Sequence, residues 1–156
     1  MPVFEISPLE AIGPVRLGVP RAVARQAMAA IGYPLEHSQD GVDHFCESCM
    51  QFSYGPSDEV WFIGVCGNPN FTFLFKGIDV FARSATEVFS LMAASDNSGP
   101  HDFTSYEYWF PNQILSLWDA DEQYDRQEGE SREVWGQIGI GNSAYMAAIR
   151  AIKKKA

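Results

Sequence analysis

The sequence predicts an α+β fold: two tandem repeats, each a helix followed by antiparallel strands, joined into one continuous antiparallel sheet with the helices on one face. Three observations carry it. Two segments combine helical spacing with helix-end residues, much of the remaining chain consists of short runs of β-forming residues, and the pattern recurs at a nearly fixed offset. At 156 residues the chain is long enough for one well-buried core, so the expectation is a single domain, 1–156, made of pseudo-repeats 1–74 and 75–156.

The first helix is expected over Pro20–Ile31, with proline in its first turn and Gly32 just past its end. Val23, Ala27, Ala30 and Ile31 are its apolar stripe. The segment "HFCESCM" (44–50) reads as a hairpin turning at Glu47-Ser48, with Cys46 and Cys49 facing each other across it. Strands follow in "CMQFSY", "EVWFIGV" (59–65) and "FTFLF" (71–75), separated by Gly55-Pro56 and Gly67-Asn68-Pro69. The second helix, Ser84–Ser95, opens with Ser84 and Glu87 in capping-box spacing and presents Val88, Leu91 and Met92 on one face. Strands are again expected in "SYEYWF" (105–110), "QILSLW" (113–118) and "EVWGQIGIG" (133–141).

A shift of 64 residues lays Met28-Ala-Ala on Met92-Ala-Ala and "HFCESCM" on "YWFPNQI" (108–114). Glu59-Val-Trp recurs as Glu133-Val-Trp at a shift of 74, so ten extra residues precede the last strand. They fall within Asp119–Arg132, where the first half has only "GPSD". Connections between successive strands are too short for parallel crossovers, which predicts antiparallel pairing throughout.

The chain carries 20 acidic and 11 basic residues, a formal charge of −9, and three of the basic ones are Lys153, Lys154 and Lys155. Such a field repels nucleic acid and anionic lipid and speeds encounter with a basic partner. No apolar run approaches the roughly 18 residues of a membrane span, and the first residues show no secretory pattern, so a cytoplasmic protein is expected.

Motifs for chemistry are sparse. His44, Cys46, Cys49 and Cys66 are four potential zinc ligands, but C-x-x-C lacks a second matching pair and "YWFPNQI" builds the same turn without sulfur. Asp119, Asp121 and Glu130 fall at positions 1, 3 and 12 of a calcium loop, yet Tyr124 stands where the bend requires glycine. No nucleophile elbow, zinc-protease helix or phosphate-cradling loop is present, and "GIGNSA" opens no dinucleotide unit. The expectation is therefore no catalytic residue, no metal and no cofactor.

The stretch "IGPVRLGVPRAVARQAM" resembles the opening of small bacterial domains in which a strand enters a helix packed on an antiparallel sheet. Two such units in tandem look like the β-lactamase inhibitory proteins, and one looks like the outer-membrane assembly lipoprotein BamE. "FKGIDVFARSATEVFSLM", "YEYWFPNQILSLW" and "EVWGQIGIG" also resemble immunity proteins of bacterial polymorphic toxin systems. The resemblance implies an inhibitor that occludes the active surface of a cognate protein toxin. An acidic body, a surplus of aromatics and the acidic insertion agree with a binding role. The expected contact residues are Asp119, Asp121, Glu122, Asp125, Glu128 and Glu130 against a basic cleft, with Trp118 or Tyr124 as aromatic anchor. The alternative is a small-ligand-binding or enzymatic domain using an aromatic pocket on the sheet.

Overall fold

A computed structural model of the chain describes residues 2–124 and 131–155. The fold is α+β, with fifteen elements in the described residues. In chain order they are β1 (Val3–Ser7), β2 (Ala11–Ile12), β3 (Val15–Arg16), α1 (Arg21–Ala30), β4 (His37–Gln39), β5 (Val42–Phe45), β6 (Met50–Tyr54), β7 (Val60–Val65), β8 (Thr72–Phe75), β9 (Ile78–Asp79), α2 (Ala85–Asp96), β10 (Glu107–Phe110), β11 (Leu115–Tyr124), β12 (Ser131–Gly141) and α3 (Ser143–Lys155). Among the described residues no helix is long and apolar enough to cross a membrane.

The strands form two sheets, where the sequence pointed to one. Seven pair antiparallel in the order β10-β11-β12-β7-β6-β5-β4, and five in the order β3-β2-β1-β8-β9. The smaller sheet contains a parallel pair, Val3–Glu5 of β1 against Thr72–Leu74 of β8. Short connections forbid parallel pairing only between strands that are neighbours in sequence. Between β1 and β8 lies nearly half the chain, ample for a crossover.

Alternation decides what each strand of the larger sheet buries. Phe45, Phe52, Ile63, Phe110, Leu115, Leu117, Ile138 and Ile140 form one face and are fully buried, together with Met28 of α1, Met92 of α2 and Phe73 of β8. This face, the two helices and the smaller sheet enclose the core. In α2, Ser84 Oγ accepts the Glu87 N–H at 3.3 Å as its spacing predicted, and Val88 and Met92 are buried. Leu91 is only half-buried; Ala85 and Phe89 take its place.

The stripe expected for α1 lies on the wrong side. Ala24 and Met28 are its buried residues, with Ala27 beside them, while Val23, Ala30 and Ile31 are exposed. The helix is turned by charge: Arg25 donates two hydrogen bonds, 2.7 and 2.9 Å, to the buried carboxylate of Asp43 on β5. Small alanines give too weak an apolar signal to oppose that.

The turn after β5 has four residues, not two. Phe45 and Met50 close the strands, and Cys46, Glu47 and Ser48 all have φ between 55° and 64°. That left-handed run is held by Glu36, whose carboxylate accepts the N–H groups of Glu47 and Ser48 at 2.7 and 2.9 Å. In the other hairpin Phe110 pairs with Leu115, so the closing pairs stand 65 residues apart, and Cys46 and Cys49 occupy the places of Pro111 and Ile114. Gly64 and Gly139 likewise face each other at the centre of the sheet. Because side chains alternate, a slip from 65 to 64 exchanges the inner and outer faces.

A third helix, not foreseen, packs on the outer face of the sheet. Its start was marked by Asn142, whose Oδ1 accepts the Tyr145 N–H at 2.9 Å. Tyr145 stacks on Phe62 at 4.8 Å and meets Trp61 and Trp109, so this helix covers part of the aromatic outer face. Phe62 lies over Gly139, where an added Cβ would stand 2.3 Å from its Cζ and 2.8 Å from Ser116 Oγ. With Tyr145 above, the ring has nowhere to retreat. Gly139→Ala is expected to cost about 1–3 kcal/mol by overpacking, read as a lowered thermal midpoint. A wild-type midpoint would mean that the ring moves freely.

Candidate functional site

The two longest strands, β11 and β12, run past their neighbours. On one side β10 pairs only as far as Trp118; on the other β7 pairs only with Ile138–Gly141. From Ala120–Tyr124 and Ser131–Trp135 the two strands pair with each other as a ribbon. At its base Asp119 has φ of 55° opposite Gly136, where an added Cβ would stand 3.0 Å from the Asp119 carbonyl oxygen, a tight approach of the two backbones. The local twist redirects Trp135 into the core, where Nε1 donates to Ala85 O at 3.0 Å and ties the ribbon to the start of α2. The preceding loop lies alongside, since Asp119 and Ala120 donate their N–H groups to the carbonyls of Tyr106 and Ser105.

Three large side chains of the surrounding segments are exposed. Trp118 is 43% exposed, Tyr106 70% and Ile152 66%. Glu107 is the direct partner of Trp118 in the sheet, and Lys153 Nζ reaches Glu107 Oε1 at 3.4 Å, which brings the last turn of α3 toward this end of β10. Exposed aromatic residues beside charged ones are the usual anchors of protein interfaces.

Of the residues expected at the site, Trp118, Asp119 and Asp121 are exposed at the base of the ribbon. Glu122 and Tyr124 continue β11 beyond it. Asp125, Glu128 and Glu130 lie outside the described residues. Tyr106, Glu107, Ile152 and Lys153 were missed. Tyr106 shares its strand period with Tyr108 and Phe110 and so looked like core, but it sits one residue before β10, where sheet support ends.

Other clusters are built for structure. The thiol of Cys46 is pushed up to about 12 by burial and by the carboxylates of Glu36 and Glu47, and burial raises those of Cys49 and Cys66 as well. Thiols held protonated are poor nucleophiles and poor ligands, which agrees with a packing role. Among the described residues no three His, Cys, Asp or Glu side chains are grouped to hold a metal ion.

A hydrogen-bonded chain runs from Asp96 at the end of α2 through Ser98 (2.5 Å) to His101 Nε2 (2.6 Å), and from His101 Nδ1 to the Tyr108 hydroxyl (2.5 Å). Asp96 also accepts the N–H groups of Asn112 and Gln113. A carboxylate only accepts, so Ser98 donates to Asp96, and a neutral His101 then donates from Nε2 and accepts from Tyr108 at Nδ1. The serine proton therefore points away from the imidazole, the reverse of an activated nucleophile. A cavity of about 450 Å³ borders α2, lined by Ile78, Arg83, Thr86, Glu87, Val88, Ser90 and Leu91 without one aromatic side chain.

No family model, no curated protein and no solved structure matches this chain.

Proposed function

We propose that the chain is a protein-binding inhibitor, an immunity protein that neutralises a toxin by covering its active surface, and that the surface at the ribbon base is its contact site. One observation carries this reading: Trp118, at the base of the acidic strand that holds Asp119 and Asp121, and Tyr106, whose carbonyl accepts the Asp119 N–H, are both exposed. The aromatics supply apolar area at low entropy cost, and the carboxylates favour a basic protein surface and speed its approach. The recurrence of helix, hairpin and central strand along the chain supports an origin by duplication, with the ribbon as the part elaborated in the second half.

The test is to recover the stoichiometric partner of the tagged chain from its own cell and ask whether co-expression relieves that partner's toxicity. Trp118→Ala is expected to weaken the complex by about 2 kcal/mol, roughly thirtyfold, mostly through faster dissociation. Absence of a stoichiometric partner, or an affinity indifferent to Trp118, would sink the proposal.

A further inference from the structure

The outer face of the larger sheet has a second feature, at the edge opposite the ribbon. His37 of β4 and His44 of β5 are direct cross-strand partners, and their rings stack with centroids 4.2 Å apart and planes 10° from parallel. Asp43 and Phe45, the neighbours of His44, point into the core, so alternation puts the pair on the side facing away from α1 and α2. His37 is exposed and His44 half-buried, with Gln51 next in the same row. The Nδ1 atom of His44 is buried and has no hydrogen-bond partner. A buried ring nitrogen without a partner is costly, and such an orphan calls for an explanation.

We propose that His37 and His44 form a two-histidine site for a divalent transition-metal ion of the class that prefers imidazole, such as Ni²⁺, Cu²⁺ or Zn²⁺. Directly opposed residues on adjacent strands have Cβ atoms close enough for both rings to reach one ion. The rings lie face to face with centroids 4.2 Å apart, and the outer torsion of histidine is soft, so turning the rings out of the stack can bring a lone pair of each to one ion. Imidazole must be neutral to ligate. The chain's net charge of −9 draws cations toward it, and two protein ligands leave the remaining positions to water. Cys46 and Cys49 take no part, being buried in the core.

The chain has three histidines, so His101 serves as an internal reference. NiCl₂ is titrated into the full chain at neutral pH, in a Cys66→Ser background that removes the half-exposed thiol, with binding followed by calorimetry and histidine ring resonances by NMR. The expected result is one ion per chain, paramagnetic broadening of His37 and His44 with His101 unaffected, and at least tenfold weaker binding in His37→Ala and in His44→Gln. Broadening of a single histidine, equal broadening of all three, or an isotherm unchanged by His37→Ala, an exposed position whose replacement leaves the fold intact by circular dichroism, would each overturn the site.

Discussion

Asp43→Ala is expected to remove about 3 kcal/mol of stability, the low end of what breaking a buried ion pair costs. The Asp43 side chain is 0% exposed, and it accepts from Arg25 at 2.7 and 2.9 Å and from the Tyr54 hydroxyl at 2.7 Å. Removing it strands the Tyr54 hydroxyl and leaves α1 without its polar tie to the sheet. Arg25 keeps partial access to water, which is why the low end applies. Arg21 stays in place over the Tyr54 ring through its 2.7 Å contact with Asp58. Burial by itself would raise the Asp43 pKa. The hydrogen bonds from Arg25, Tyr54 and Ser38 and the Arg25 charge outweigh it and hold the group at about 2 against an ordinary 3.8. A folded pKa below the unfolded one means stability that is full above 3.8 and is lost as the pH falls through about 2. That contribution is on the order of 2 kcal/mol. Urea midpoints measured from pH 5 downward should therefore fall in that window for the wild type, and the component should be missing from Asp43→Asn. A wild-type curve no steeper than the variant's would show that the ion pair does not anchor α1.

How far the fold was legible depended on whether the deciding signal was local. The cap at Ser84 and Glu87 involves residues three apart, and the strand in "EVWFIGV" involves consecutive β-formers, so both could be read directly. The face of α1 could not, because it is chosen by the bond between Arg25 and Asp43, eighteen residues apart. The parallel pairing of β1 with β8 and the split into two sheets are equally long-range. At the candidate site Trp118, Asp119 and Asp121 were legible because an acidic insertion is visible as composition. Tyr106 and Ile152 were not, since their exposure arises from where the sheet and the last helix stop. His37 and His44 were separate letters until register made them neighbours.

Asp96→Ala is expected to cost a similar amount, about 3 kcal/mol, for a different reason. A carboxylate in the last turn of a helix meets the negative end of the dipole, so this position is unfavourable unless its oxygens are well bonded. They are: Asp96, almost fully buried, accepts from Gln113 N at 2.7 Å, Asn112 N at 3.2 Å and Ser98 Oγ at 2.5 Å. Asn112 Nδ2 returns a bond to the Asp96 carbonyl at 2.9 Å, and Gln113 Nε2 bonds Ser95 Oγ at 3.0 Å. Together these fasten the end of α2, where Asn97 turns left-handed at φ of 51°, to the turn between β10 and β11. Alanine leaves two backbone N–H groups without their acceptor, each worth about 1 kcal/mol or more where burial is partial, and unties the end of the helix from the turn. The same change frees Ser98 to donate to His101, which reverses the direction of the chain. In the wild type, long-range nitrogen–proton correlations should find the His101 proton on Nε2; in Asp96→Ala that preference should weaken along with the urea midpoint. An imidazole with its proton on Nδ1 in the wild type would show that Tyr108 accepts instead of donating, and that Asp96 does not set the order of the chain.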